Sequence, residues 1–298
     1  METSLPLLRG IAVSARRFRW IAFASALMLL VIVASGATVR LTSSGLGCPH
    51  WPGCQGAVQL PEKGYHSYIE FSNRIVAALT ILATFLTWVA SLALATVPRW
   101  ARRLALATFL GTVGQAPLGA IVVYFNLNPW LVLTHFLVSL TILALGVIVA
   151  LEAWEVRLEP LPLPVRRLGL LVGASCAALV GTGTLVTAAG RYPGSFGSKP
   201  VQRVGSFYDA IWLHVRATAV FGILFALLLV WLARRRSRHL WGGLIVVAVL
   251  AAQMTVGEIQ YRITMPWWLV LIHVTLAATL WAATTAFVTV LWRPSRIP

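Results

Sequence analysis

Eight long apolar segments dominate this sequence and restrict the folds open to it. Each is near the roughly 20 residues that an α-helix needs to cross a hydrocarbon core about 30 Å thick. Only 11% of the 298 residues are charged, well below the roughly 25% typical of soluble domains. The sequence therefore predicts an all-α integral membrane protein with eight transmembrane helices. The segments are 20–39, 75–97, 104–125, 129–151, 168–188, 211–233, 240–261 and 266–292.

Basic residues are divided unequally between the two sides of this predicted membrane protein. Of the 24 Lys and Arg residues, 16 lie in the two terminal segments and the even-numbered loops, and 8 lie on the other side. Such an asymmetry places the basic side in the cytoplasm. We therefore expect a multi-pass protein with both termini cytoplasmic and lipid as its surroundings. The net charge of +16 follows from this topology, and we expect no nucleic-acid binding.

An internal repeat divides the chain into two similar parts. Residues 115–135 read QAPLGAIVVYFNLNPWLVLTH, and residues 253–273 read QMTVGEIQYRITMPWWLVLIH. Gln, Gly, Trp and His recur at fixed positions, 138 residues apart. Weaker echoes begin at Gly36 and Gly183. Because an offset of four helices preserves topology, we expect two four-helix bundles related in parallel, covering residues 1–155 and 165–298.

Three histidines lie inside apolar segments: His135, His214 and His273. Ionisable side chains within membrane helices are costly and usually face the bundle interior. His214 and His273 lie near the outer starts of the sixth and eighth helices, so we expect them at matching depth. Two neutral imidazoles facing each other suit the two axial positions of a heme iron. Hydrogen bonding between helices is the alternative. His239 falls in a basic cytoplasmic loop, where we expect it at the surface.

The first half carries only part of this pattern. His135 occupies the position of His273, but the position of His214 falls at Asn73. An amide is a poor heme ligand. We therefore expect a one-sided site in the first half, or one that takes a loop ligand such as His66.

A carboxylate lies close to Asn73. Glu70 precedes it by one helical turn, on the same face of the second helix. There it could position water, take a proton or bond a substrate. The alternative is an interfacial carboxylate paired with Arg74.

Two further groups of residues lie near the outer ends of the helices. Cys48 and Cys54 stand in the first outer loop, within GLGCPHWPGC. An oxidising compartment favours a disulfide, and metal binding with His50 is the alternative. The second group contains arginines that could pair with heme propionates or extend to lipid headgroups. These arginines are Arg40, Arg74, Arg216 and Arg262.

Taken together, these motifs resemble the bacterial heme A synthase family, which is related to the mitochondrial heme A synthase. The resemblance rests on GATVRLTSSGLGCPHWPGC, on IEFSNR and on the two helices with a histidine after Gln-x3-Gly. It covers about residues 20–292. Members of that family are eight-helix membrane enzymes with two four-helix halves. They oxidise the C8 methyl of heme O to a formyl group, which gives heme A for terminal oxidases.

The resemblance implies roles for individual residues. His214 and His273 would be axial ligands of a heme b, and His135 would bind the iron of the substrate, heme O. Glu70 matches the family's acidic residue of the first half, with a role in catalysis. Cys48 and Cys54 match a redox-active pair. Heme O would come from a heme O synthase, while the electron donor and a homo-oligomeric state cannot be read from the sequence.

This chain departs from the family pattern at two places. Asn73 stands where a histidine is common, which argues against bis-histidine ligation of the substrate. The third outer loop, RYPGSFGSKPVQRVGSFYDA, lacks the second cysteine pair of some members. Two other functional classes remain open: a diheme cytochrome that oxidises quinol, and a heme carrier without chemistry.

Overall fold

Eight long helices make up most of the described chain. The computed structural model describes residues 13–48, 50, 53–54, 60–61, 64–195 and 201–293. Within these ranges eight helices are long and apolar enough to cross a membrane, which confirms the predicted fold class. They are α1 (Ala15–Leu41), α2 (Tyr65–Leu92), α3 (Arg99–Tyr124), α4 (Pro129–Ala153), α5 (Leu163–Ala189), α6 (Phe207–Arg234), α7 (His239–Arg262) and α8 (Trp267–Trp292).

Several helices begin where local chemistry favours a start. The side chain of Asn128 accepts a hydrogen bond from the Trp130 amide at 3.0 Å, and Pro129 occupies the first position of α4. Proline fits there because the first helical N–H has no partner within the helix. Ser206 caps α6 by accepting from the Asp209 amide. These caps fix the outer ends of α4 and α6, close to His135 and His214.

Helix contacts group the chain into a first half, α1–α4, and a second half, α5–α8. In the first half, α1 contacts α2 and α4, and α3 contacts the same two helices. In the second half α5 contacts α6 and α8, and α7 contacts α8, whereas α6 and α7 touch far less extensively. The halves meet through α1, α4, α5 and α8, where the Trp281 indole donates to the Leu140 carbonyl at 2.8 Å.

The repeat seen in the sequence extends to unusual backbone geometry. Two consecutive left-handed residues end the α3–α4 turn, Asn126 and Leu127, with φ of 50° and 58°. The equivalent residues before α8, Thr264 and Met265, have φ of 63° and 55°. Left-handed backbone is strained for a β-branched residue such as Thr264. The two turns therefore share a geometry that the chain keeps despite its strain.

Two loops on the same side of the helices, one from each half, contact each other. Ser44 and Ser195 form an isolated β-bridge, and the Gly45 amide donates to the Gly194 carbonyl at 2.9 Å. The Tyr192 hydroxyl donates to the Met265 carbonyl at 2.7 Å. The loop after α5 therefore contacts both the loop after α1 and the turn before α8. Residues 49, 51–52, 55–59, 62–63 and 196–200 of these loops lie outside the described residues, as do the termini, 1–12 and 294–298.

Charged contacts hold the opposite ends of the helices. Glu152 forms ion pairs with Arg157 and Arg293. In the α4–α5 connection, partial burial opposes ionisation of Glu159, but hydrogen bonds from the Ser237 hydroxyl and the Arg238 amide outweigh it and lower the pKa of the carboxyl. These contacts join the connection between the halves to the α6–α7 loop.

Candidate functional site

The second half carries two histidines within its membrane helices. His214 lies on α6 and His273 on α8, and both side chains are half-buried. His214 Nδ1 lies 3.2 Å from the Thr182 hydroxyl of α5. His273 Nε2 lies 3.1 Å from the side-chain amide of Gln253 on α7. All four helices of this half therefore contribute either one of the two imidazoles or a polar side chain that contacts one.

Glycines make room for these two rings. A Cβ atom on Gly257 would lie 2.9 Å from His273 Cε1, and one on Gly183 would lie 3.1 Å from His214 Cε1. Real Cβ atoms essentially never approach to 2.9 Å. Gly257 lies one turn after Gln253, so α7 offers His273 an amide and a side-chain-free surface on one face. Larger residues at the two glycine positions would displace the imidazoles.

The second half retains polar atoms with no protein partner. Among the described residues, His273 Nδ1 and Gln253 Oε1 are buried without a hydrogen bond. A metal-ligating histidine uses one nitrogen for the metal and gives the other N–H to an acceptor. No group of three His, Cys, Asp or Glu side chains forms a cation site within the described ranges. A heme fits this donor set, because its porphyrin already supplies four ligands and two imidazoles suffice.

The first half repeats half of the arrangement. His135 on α4 faces α3, where a Cβ on Gly119 would lie 3.6 Å from its Cε1. Gln115, one turn earlier, has both side-chain amide atoms buried without a partner among the described residues, and His135 Nδ1 is likewise orphaned. Pro117 lies between Gln115 and Gly119 and removes one backbone donor from α3. Gln115 and Gly119 thus repeat the Gln253–Gly257 pair of α7. Gly119 lies farther from His135 than Gly257 lies from His273.

The second imidazole position of the first half is open. Asn73 occupies it in sequence, and its Oδ1 is buried without a partner in the described part of the chain. A Cβ on Gly36, the counterpart of Gly183, would meet no atom within 4 Å. His66, the loop residue considered as a substitute ligand, has its Nδ1 3.0 Å from the Ser44 hydroxyl. In the described part of the chain, no side chain therefore occupies, beside Gly36, the place that His214 takes beside Gly183.

Glu70 connects this half to the outer loop. Its Oε2 accepts from the Cys48 amide at 2.8 Å, and its Oε1 accepts from Arg74 at 2.7 Å. Arg74 also donates to the carbonyls of His50 and Gly53, at 2.8 and 2.6 Å. The structure joins Cys48 to Cys54 in a disulfide. The predicted Glu70–Arg74 pairing is present, and the pair holds the disulfide loop against α2.

The remaining outer arginines differ in their partners. The half-buried Arg40 side chain donates to the carbonyls of Thr187 and Tyr192, at 2.5 and 3.0 Å. Arg262 pairs with Glu258 at 2.5 Å on an exposed surface. Arg216 is exposed, and it forms no ion pair with any described residue. Of these arginines, Arg216 is thus the one left available for an external anion.

Comparison with known proteins agrees with this arrangement. A sequence model of the COX15-CtaA family, described as cytochrome oxidase assembly protein, matches residues 19–285. The chain belongs to the COX15-CtaA family. Its family membership confirms the resemblance inferred from the first-loop motif and the repeated Gln-x3-Gly segments.

Several relatives of this COX15-CtaA protein are named heme A synthase. That from Bacillus pumilus is 33% identical over 130 residues, 43% of this chain and 42% of the relative. That from Lysinibacillus sphaericus is 28% identical over 142 residues, 47% and 46% of the two chains. That from Shewanella oneidensis is 24% identical over 179 residues, 54% and 53%. The chain thus matches about half the length of these relatives.

Sequence reasoning missed several contacts of this COX15-CtaA chain. It located Gln253 in the repeat without recognising its bond to His273, although the fixed spacing of 20 residues was a signal.

The expectation for His239 was wrong. Its side chain is buried, 1% exposed, and its Nε2 lies 3.0 Å from the Glu159 carbonyl. The α4–α5 connection folds over this residue, which the basic composition of its own loop did not indicate.

Proposed function

We propose that this protein is a heme A synthase that oxidises the C8 methyl of heme O to a formyl group. Family membership and the relatives named heme A synthase support the activity. The observation that carries the proposal is the unequal repeat. One half carries imidazoles on two helices, each close to a glycine, and the other carries one such imidazole with Asn73 at the equivalent position of the second. A resident cofactor suits the first arrangement, and a substrate that must leave suits the second.

The second half is the proposed heme b site, formed by residues 165–298. His214 and His273 would hold the iron from both sides. Thr182 and Gln253 would orient the imidazoles through the nitrogens that they contact. When bound, heme b supplies reversible one-electron chemistry. The protein's own part is to fix both rings between glycine surfaces and to exclude water from them.

The first half, residues 1–155, is the proposed substrate domain. His135 would bind the iron of heme O, and Asn73 would leave the opposite side open. Glu70 remains our proposed catalytic carboxylate because it lies one turn from Asn73 on the same face of α2. Glu70 would also position the disulfide loop, because its bonds to Cys48 and Arg74 hold that loop beside this face of α2.

Two arginines have different proposed parts in anion binding. Arg216 has no ion-pair partner among the described residues, so it suits a heme propionate. Arg74 is engaged by Glu70 and by the loop carbonyls, so its contact with a propionate would be added to those bonds. We propose that Arg216 contributes to cofactor binding and that Arg74 mainly keeps the loop in place.

The bacterial relatives support a location in a bacterial cell membrane. The charge asymmetry supports an orientation with both termini cytoplasmic and the disulfide outside. Heme O would arrive from a heme O synthase within the same lipid phase. The disulfide is our proposed redox-active pair. A thiol reagent that cannot cross membranes should label Cys48 or Cys54 in intact cells after mild reduction. Labelling that requires cell lysis would contradict this topology.

The decisive experiment is chromatography of the pigments bound to protein co-expressed with a heme O source. We expect heme A, heme O and heme b from the wild type. In His135→Ala we expect loss of heme A with heme b retained. Heme b alone in the wild type would favour a quinol-oxidising cytochrome, and absence of all heme would exclude both enzyme functions.

A further inference from the structure

At equivalent buried positions, the first half carries hydroxyl side chains and the second half carries apolar ones. On α2, four hydroxyl residues recur every three or four positions along one buried face: Thr80, Thr84, Thr87 and Ser91. Their counterparts, 141 residues later on α6, are Phe221, Phe225, Leu228 and Leu232. On α3, Thr108 and Thr112 correspond in the same way to Val246 and Leu250 of α7. The first half is thus lined by hydroxyls where the second is filled by apolar side chains.

A small void lies within this hydroxyl-lined region. Its volume is about 10 Å³, and four hydroxyl residues from three helices border it: Ser25, Thr84, Thr87 and Thr108. A cavity needs about 10–15 Å³ to hold one water molecule, together with two to four polar partners. The void therefore meets both conditions for a single water.

The hydrogen bonds around the void leave room for a ligand that both donates and accepts. Three of these hydroxyls donate to carbonyls of their own helices, at 2.8 to 3.0 Å: those of Thr84, Thr87 and Thr108. Their oxygens can still accept. Ser25 is 2% exposed and has no hydrogen-bond partner in the described part of the chain. One water could accept from Ser25 and donate to two threonine oxygens.

The same polar face continues in both directions. On α3, Thr108 and Thr112 are followed at helical spacing by Gln115, whose amide atoms are both orphaned, and by Gly119 beside His135. On α2, the series ends at Ser91, one residue before the helix ends. A line of hydroxyl and amide groups therefore runs from the level of His135 to the membrane side opposite the disulfide.

We propose that the void binds one water molecule, and that this water and the surrounding hydroxyls carry protons between the level of His135 and that opposite side. The proton path, unlike the water site, rests on the proposed function. Oxidation of a methyl carbon breaks C–H bonds, and the protons released must leave a site that is enclosed by membrane. Hydroxyls and water can each donate and accept a proton, whereas the Phe and Leu counterparts in the second half can do neither. A path confined to the substrate half fits a heme b half that handles no substrate protons.

The water can be tested without activity. Radiolytic footprinting oxidises side chains next to bound water, and Val149 borders the void. We expect labelling of Val149 in the full-length protein, and no labelling of its counterpart Phe287. High-resolution density should show a water within hydrogen-bond distance of the Ser25 hydroxyl. An unlabelled Val149 and an empty void would overturn the water site, whether or not the protein makes heme A.

The path is tested with isosteric variants. Thr84→Val and Thr108→Val remove one hydroxyl each, and the second copies the residue at position 246. We expect each to slow heme A formation about tenfold, as loss of one relay hydrogen bond implies, with heme b content unchanged. The ratio of rates in H2O and D2O should rise, since proton movement becomes limiting. The control is Thr284→Val, which removes a buried hydroxyl from the second half and should leave both rate and ratio unchanged.

The outcomes separate this inference from the proposed function. Wild-type rates and isotope ratios in Thr84→Val and Thr108→Val would overturn the path while leaving heme A synthesis intact. A slower rate with an unchanged isotope ratio would assign the threonines to packing and also contradict the path. Absence of heme A from the wild type would remove the proposed function and the path together, and the footprinting result would still decide the water.

Discussion

The two halves of this protein place the same helices around different interiors. In the second half, Gly183 lies close to the His214 ring and Gly257 close to the His273 ring, and Phe221 and Phe225 are fully buried further along α6. In the first half, His135 has a looser glycine contact and no opposing imidazole. We propose that this difference between the halves separates holding a cofactor from handling a substrate.

The largest expected effect comes from the histidines. Because an imidazole is the only strong iron ligand on its side of each proposed site, His214→Ala or His273→Ala should remove heme b altogether. His135→Ala should keep heme b and abolish heme A formation. Optical spectra and heme extraction measure both. Unchanged heme b in both second-half variants would end the comparison between the halves.

Restoring the missing histidine should break the asymmetry directly. Asn73→His gives the first half an imidazole opposite His135, so we expect a second six-coordinate heme signal, stronger retention of heme O and a severe fall in heme A. Asn73→Ala serves as the control, and its loss of heme A should be milder than that of His135→Ala or Glu70→Ala. If Asn73→Ala is as defective as His135→Ala, the open position is not what distinguishes the substrate half.

Two ion pairs of identical spacing offer a sharper comparison. Glu70–Arg74 has side chains 7% and 17% exposed, whereas Glu258–Arg262 has side chains 59% and 74% exposed. Glu70→Gln removes the charged partner of a largely buried guanidinium, which costs about 3 kcal/mol, and it should also reduce heme A formation.

Glu258→Gln is the matched control and should cost less than about 1 kcal/mol, because water screens an exposed pair. Thermal inactivation midpoints and heme A yield measure both variants. Equal losses of stability would show that burial is not what separates the pairs, and full conversion by Glu70→Gln would make this carboxylate purely structural.

The smallest effect concerns the glycines. Gly257→Ala places a methyl 2.9 Å from His273 Cε1, whereas Gly119→Ala places one at 3.6 Å from His135 Cε1. Overpacking of this kind costs about 1–3 kcal/mol, so Gly257→Ala should lower heme b occupancy and thermal stability. Gly119→Ala should change both little. Equal losses of thermal stability and heme occupancy in the two variants would show that the glycine packs no more closely against the histidine in the proposed heme b half than in the proposed substrate half.

Much of this architecture could be predicted from the chain alone, but helix ends and paired residues could not. The predicted second segment, 75–97, begins ten residues after the observed start of α2 at Tyr65. The difference arises because the first turns of α2 carry Glu70, Asn73 and Arg74, which lower hydropathy without breaking a helix. Polar residues that bond to a loop or to each other cost little at a membrane surface, so composition misjudged the boundary where the site begins.

The sequence by itself determined the eight helices, the repeat and the residues that differ between its halves, since apolar length and fixed spacing are properties of the chain. Only the tertiary structure decided which groups meet. Cys48 and Glu70 are 22 residues apart, and Arg40 lies 147 residues from Thr187. No periodicity links such positions. Their contacts form because burial forces each polar group to find a partner, and packing of whole helices determines which partners lie within reach.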